Sequence, residues 1–311
     1  MKVAVLTEKG FALREQETPK CGPGDVLVKT LSCGICGGDV FAYTQALNAP
    51  PREVVLGHEG TGTVVAVGAG VEEFQEGDVV TALDGRYSEY FLTRHDKILK
   101  LPPGVDPLWA MGEPVACVIH AAPRFGINFG DRVALLGCGF MGLLCLQAAR
   151  LRGAGHVCAM DPVPWRLKAA RELGADETVN PEGASGADLA QRLGEFDVVI
   201  EAVGNQAALD LTWPLVRQHG RIIVIGYHQS GNGLRTVNME RWNFKAIDVI
   251  NGHVRCEDEK LEAMRAGLDL MQAGRLRTAP LVTAYPLDRV NEAFADLVGR
   301  KEGLFKVALV P

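Results

Sequence analysis

"RVALLGCGFMGLLCLQAARLRG", residues 132–153, is the stretch on which the fold turns. Its first part, "RVALLG" (132–137), is a short apolar run that reads as a buried strand. Its second part, "MGLLCLQAARLRG" (141–153), reads as a helix. Between them stand Gly137, Gly139 and Gly142 in G-x-G-x-x-G spacing, with Phe140 and Met141 inside the last gap. The spacing alone is a weak signal. At a strand-to-helix junction the first glycine makes a tight turn, the second leaves room for a pyrophosphate, and the third lets helix pack closely on strand. The helix N-terminus would then face the phosphates with free N–H groups.

The residues that follow repeat the pattern. "HVCAMD" (156–161) reads as a second strand and "PWRLKAARELG" (164–174) as a helix stopped by glycine. A weak strand at "ETVN", a helix near 186–193 and the strong strand "FDVVIEAVG" (196–204) come next. "QAALDLTWPLVRQHG" reads as a helix, "RIIVIG" (221–226) as a strand and "FKAIDVI" (244–250) as a sixth strand. Val/Ile-rich strands alternating with helices predict an α/β domain with a doubly wound parallel sheet, a Rossmann fold. Asp161 closes the second strand about twenty residues beyond the glycines, where a carboxylate grips ribose hydroxyls and repels a 2′-phosphate. That favours NAD over NADP, although Arg166 is near enough to keep NADP open.

Residues 1–115 differ. They are rich in Gly, Pro and short Val-rich runs, the pattern of an irregular β-rich domain. The tail holds a helical stretch at 257–273, another near 288–298 and a last strand, "LFKVALV". The expected organisation is 1–117, a Rossmann domain at 118–250, and a return to the first domain at 251–311.

Composition sets limits on function. The 311 residues carry a net charge of −6 with no basic run, so nothing favours nucleic acid or an anionic membrane. Val133 to Ala149 is uncharged, but its glycines fit a strand-turn-helix better than a membrane span. No signal peptide is read at the N-terminus, and the chain reads as cytoplasmic. Its eight cysteines then suggest thiols and metal ligands rather than disulfides.

One pair of cysteines lies in "LSCGICGGDVFAY" (31–43), where Cys33 and Cys36 form a Cys-x-x-Cys. "LGHEGTGTVVAVG" (56–68), "EGDVV" (76–80) and "EPVACVIHA" (113–121) follow, ahead of the nucleotide motif. In this order the motifs resemble those of the zinc-dependent medium-chain dehydrogenase/reductase superfamily, closest to its polyol (sorbitol) dehydrogenase-like group. The resemblance runs the length of the chain and implies a GroES-like catalytic domain around residues 1–117.

That resemblance also implies the site. Cys36 of G-x-C-G-x-D and His58 of G-H-E would be catalytic zinc ligands. Glu113 would be the third, directly or through water. Glu59 would approach the metal during turnover, and Asp39 would orient the histidine. Such a set suits catalytic zinc, which takes three protein ligands and keeps one position open. Cys33 is then a small buried residue. Val203, Ile225 and the backbone near 249–252 would line the nicotinamide end of the cofactor. The implied activity is hydride transfer between NAD(H) and a secondary alcohol, polyol or sugar-like substrate and its ketone, by a homodimer or homotetramer.

Two departures from the family pattern stand out. "GDVVTALDGRYSEYF" (77–91) lacks the lobe of four cysteines that holds a structural zinc, so one zinc is expected. Gly38 and Phe41 stand where the family commonly carries the hydroxyl and imidazole of a proton relay. Glu59, Tyr43, a zinc-ordered water or substrate hydroxyls could replace that relay. Alternatives are an NAD(P)H-dependent reductase of an unusual, conjugated carbonyl, and a non-catalytic dinucleotide-binding protein. Phe41, Tyr43 and Trp109 are candidates for the substrate pocket or for core packing.

Overall fold

A computed structural model describes residues 1–46 and 53–311. It divides into two units, Met1–Ala116 with Cys256–Pro311, and Cys117–Arg255. The expected boundary at 250 therefore cuts a strand, Asp248–Asn251, that belongs wholly to the second unit.

The second unit is a six-stranded sheet with every neighbouring pair parallel. Its order is Glu177–Val179, His156–Met160, Arg132–Leu136, Phe196–Glu201, Val216–Val224 and Asp248–Asn251. This is the doubly wound order of a dinucleotide-binding fold. Ala134, Leu136, Cys158, Val199 and Ile222 share one buried cluster, which is why the strands read as unbroken apolar runs. The order reverses between Arg132–Leu136 and Phe196–Glu201, so the crevice opens at the glycine turn.

Two elements differ from expectation. Residues 216–220, read as helix, begin the strand Val216–Val224. The helix Gln206–Leu215 carries Pro214 in its last turn, and β-branched Val216 is its extended cap. Residues 244 and 245, read as strand, close the helix Met239–Lys245, and Ala246 takes a left-handed conformation that ends it.

The first unit is mainly antiparallel. Its larger sheet runs Val282–Pro286, Lys306–Val310, Asp25–Gly34, Gly60–Val67, Val79–Ala82 and Ile98–Lys100, with Tyr90–Arg94 also paired to Asp25–Gly34. Two registers position the site. Cys33 lies opposite Gly60, bringing the ends of those strands together. Ala308 lies opposite Gly34, which returns the tail strand to the same place. The helix Gly37–Ala46 starts directly after Cys36, a helix absent from the sequence reading.

Candidate active site

Cys36 sits between the strand Asp25–Gly34 and the helix Gly37–Ala46, and His58 and Glu59 lead into the strand Gly60–Val67. Because Cys33 pairs with Gly60, the thiol, imidazole and carboxylate converge. One ligand atom from each of Cys36, His58 and Glu59 lies within 4.8 Å of the others. Cys36 and His58 are half-buried and Glu59 is buried. The hydrogen bond to Cys36, opposed by burial and reinforced by Glu59 and Asp39, raises the His58 pKa to about 9. Cys33 faces the core, where burial pushes its thiol far up. The two halves of the Cys-x-x-Cys pair thus have different surroundings.

Glu113, the expected third ligand, is not among the three converging donors. Glu113 opens the helix Gly112–Ala121, and its Oε1 accepts a 2.8 Å hydrogen bond from Lys260 Nζ. It lies close enough to act electrostatically on Glu59, but it is outside the donor triad. Glu59, which adjoins His58, is the carboxylate in that group, while Lys260 on the helix Glu257–Gln272 pairs with Glu113.

Lys306 is the group the sequence reading missed. Its Nζ lies 2.6 Å from each oxygen of Glu59, donating a hydrogen bond to Oε1. Oε2 is buried and lacks a properly directed hydrogen bond. Burial pushes Glu59 upward and Lys306 opposes it. Burial works against the Lys306 ammonium, but Glu59, Cys36 and Glu113 together outweigh it and raise its pKa. Nothing local in the sequence marks this lysine. Only the register of Lys306–Val310 against Asp25–Gly34 brings it here.

Asp39 is buried, with Oδ1 3.8 Å from His58 Nδ1, within ion-pair reach but beyond a hydrogen bond. Its Oδ2 accepts from the Tyr87 hydroxyl at 2.6 Å and from Cys36 N at 3.2 Å. Tyr87 was not anticipated either. Gly38 donates its N–H toward Cys36 Sγ at 3.5 Å. Tyr43, a candidate for substrate contact or proton transfer, instead stacks on Phe11 at 5.8 Å and packs on Phe294 at 5.0 Å. Trp109 offers its carbonyl to the Thr278 hydroxyl.

In the second unit Gly137 adopts φ +96°, and a side chain there would strike Val203. A side chain at Gly142 would collide with the Gly137 carbonyl, so this glycine serves helix–strand packing. Gly139 has nothing within 4 Å of a would-be Cβ. Protein packing does not require a glycine there, and the open space is what a pyrophosphate cradle needs. Phe140 is buried and Met141 is half-buried at the start of the helix Phe140–Leu151. Asp161 is buried, its two oxygens accepting from Cys138 N and Val163 N, each at 2.9 Å. Arg166 lies 3.8 Å from Asp161 and stacks over Trp165. Val203 is exposed, whereas the Ile225 side chain is buried.

Two family models match stretches of this chain. The model for the alcohol dehydrogenase GroES-like domain matches residues 22–103, and that for zinc-binding dehydrogenase matches 141–272. The chain belongs to the zinc-dependent medium-chain dehydrogenase/reductase superfamily. Within it, the chain is like the polyol dehydrogenases. It is 28% identical over 344 residues to a sorbitol dehydrogenase of Gallus gallus, covering 98% of this chain and 94% of that one. It is 28% identical to an L-threonine 3-dehydrogenase of Vibrio parahaemolyticus, covering 94% and 95%. A zinc-binding dehydrogenase of Sinorhizobium meliloti solved with NADP superposes with a TM-score of 0.88 at 26% identity, covering 100% and 99%. Among the described residues no helix is long and apolar enough to cross a membrane.

Proposed function

We propose that this oxidoreductase carries one zinc per chain and moves a hydride between NAD(H) and a secondary alcohol or polyol and its ketone. The observation that carries the proposal is the convergence of Cys36, His58 and Glu59 within 4.8 Å. A thiolate, an imidazole and a carboxylate form a donor set suited to zinc. Gly139, at the mouth of the glycine turn, supports dinucleotide binding in the same way.

The chemistry these groups supply when bound is Lewis-acid activation of an alcohol or carbonyl oxygen and hydride exchange with a nicotinamide. The chain's own residues set the conditions for it. Lys306 offsets the charge of Glu59, which would otherwise be buried unpaired. Asp39, held by the Tyr87 hydroxyl and Cys36 N–H, faces the imidazole of His58 and favours one orientation of the ring. Glu113, paired with Lys260, lies beside the triad and adds negative charge near Glu59. Asp161, which also accepts the Cys138 N–H at the glycine turn, supports the choice of NAD.

Gly38 and Phe41 favour a second reading, reduction of a conjugated carbonyl, which takes its proton at carbon and needs less proton transfer at the position of the missing relay. Incubating the purified protein with alcohols and NAD, and with ketones and enones plus NADH, separates the two. The dehydrogenase reading expects NAD reduction by a secondary alcohol or polyol. Turnover of enones alone would replace it with the reductase. Homodimer or homotetramer formation and a cytoplasmic location complete the proposal.

A further inference from the structure

Beside the glycine turn, the second unit contains a polar network that the family motifs do not account for. Glu201 ends the strand Phe196–Glu201 and is completely buried. Its Oε1 accepts from Val203 N at 2.8 Å and Gly204 N at 2.7 Å. Its Oε2 lies 2.9 Å from His228 Nε2. Its main-chain oxygen accepts from Ile225 N and Gly226 N. One residue thus gathers the turns that leave two adjacent strands.

Arg235 closes the network. Its Nε donates to His228 Nδ1 at 2.7 Å. A guanidinium can only donate, so Nδ1 accepts and the ring proton resides on Nε2, directed at Glu201. Other nitrogens of Arg235 donate to the carbonyls of Gly204, Ser230 and Leu234. A side chain at Gly226 would collide with Gly204 N, so the two turns meet at backbone distance. The buried charge is matched by an arginine through a neutral imidazole, and the backbone N–H groups leave Glu201 well satisfied.

The turns held this way carry Val203 and Tyr227, both exposed, and the Val203 side chain reaches over Gly137. We propose that Glu201, His228 and Arg235 form a clamp that sets the rim of the dinucleotide site, with His228 and Arg235 as positioning residues. The proposal rests on the reading that a dinucleotide binds at the glycine turn. The clamp acts through the 201–204 and 225–228 backbones and touches neither reacting atom.

The test measures NADH affinity by fluorescence and amide hydrogen exchange in the full-length protein. Arg235→Met and His228→Leu should each weaken NADH binding about tenfold, the size expected for losing one buried hydrogen bond that shapes a site. Metal content should stay unchanged. His228→Gln keeps an N–H for Glu201 and should stay within about threefold of wild type on the same reasoning. Exchange should quicken at Val203, Gly204 and Gly226 in Arg235→Met, with the rest of the sheet protected as before. Wild-type affinity in both disrupting variants, or uniformly faster exchange across the unit, would overturn the clamp alone. A wild type that binds neither NADH nor NADPH would overturn the dinucleotide reading, and the clamp's role with it.

Discussion

Lys306 and Lys260 partner the two carboxylates at the centre of the site. Lys306 holds Glu59 among the donors, and Lys260 holds Glu113 outside them. Removing one partner of a buried pair leaves an uncompensated charge. Lys306→Met should therefore destabilise the metal-free protein by about 3 kcal/mol, read from urea unfolding. A loss of less than about 1 kcal/mol would mean that Glu59 does not depend on this lysine. Asp161 supports a second expectation. Its carboxylate would oppose a 2′-phosphate, so wild type should show a higher kcat/KM with NAD than with NADP. Asp161→Ala should narrow that gap. A wild-type preference for NADP would assign the decisive contact to Arg166 instead.

At the scale of elements, short devices fix the ends of strands and helices. Asp197 joins the starts of three strands: Oδ2 accepts from Arg132 N at 2.8 Å and Oδ1 from Arg217 Nε at 2.6 Å. Burial raises its pKa, but Arg217 and the Arg132 N–H outweigh burial and hold it below the usual carboxylate value. A carboxylate depressed in the folded state adds stability at pH above its unfolded pKa. That stability is lost as pH falls through the folded value. Thermal stability should therefore decline below about pH 4. Asp197→Asn should flatten this acid limb, and an unchanged limb would place the effect on other carboxylates. Asn205 caps the helix Gln206–Leu215 through Ala208 N at 2.8 Å. Asn205→Ala should cost about 1 kcal/mol, visible as a lower unfolding midpoint. The strand-turn-helix at 132–153 was legible in the sequence because its periodicity and glycine spacing are local. Residues 216–220 were not, because the sheet imposes an extended conformation on a stretch that follows a helical run.

Across the whole chain, the same distinction separates what was legible from what was not. Cys36, His58 and Glu59 lie in short motifs that could be read one at a time. The pairing of the two carboxylates could not, because it depends on Lys260 and Lys306, which lie far along the chain and meet the motifs only through sheet register and helix packing. The central claim is the zinc site. Zinc per chain should be measured in protein purified without chelator, alongside NAD-linked alcohol oxidation, for wild type, Cys36→Ser, Cys33→Ser and Glu113→Gln. The account predicts about one zinc per chain in wild type, Cys33→Ser and Glu113→Gln, and none, with no activity, in Cys36→Ser. Two zinc ions per chain, no zinc in an active preparation, or zinc lost from Glu113→Gln would contradict it.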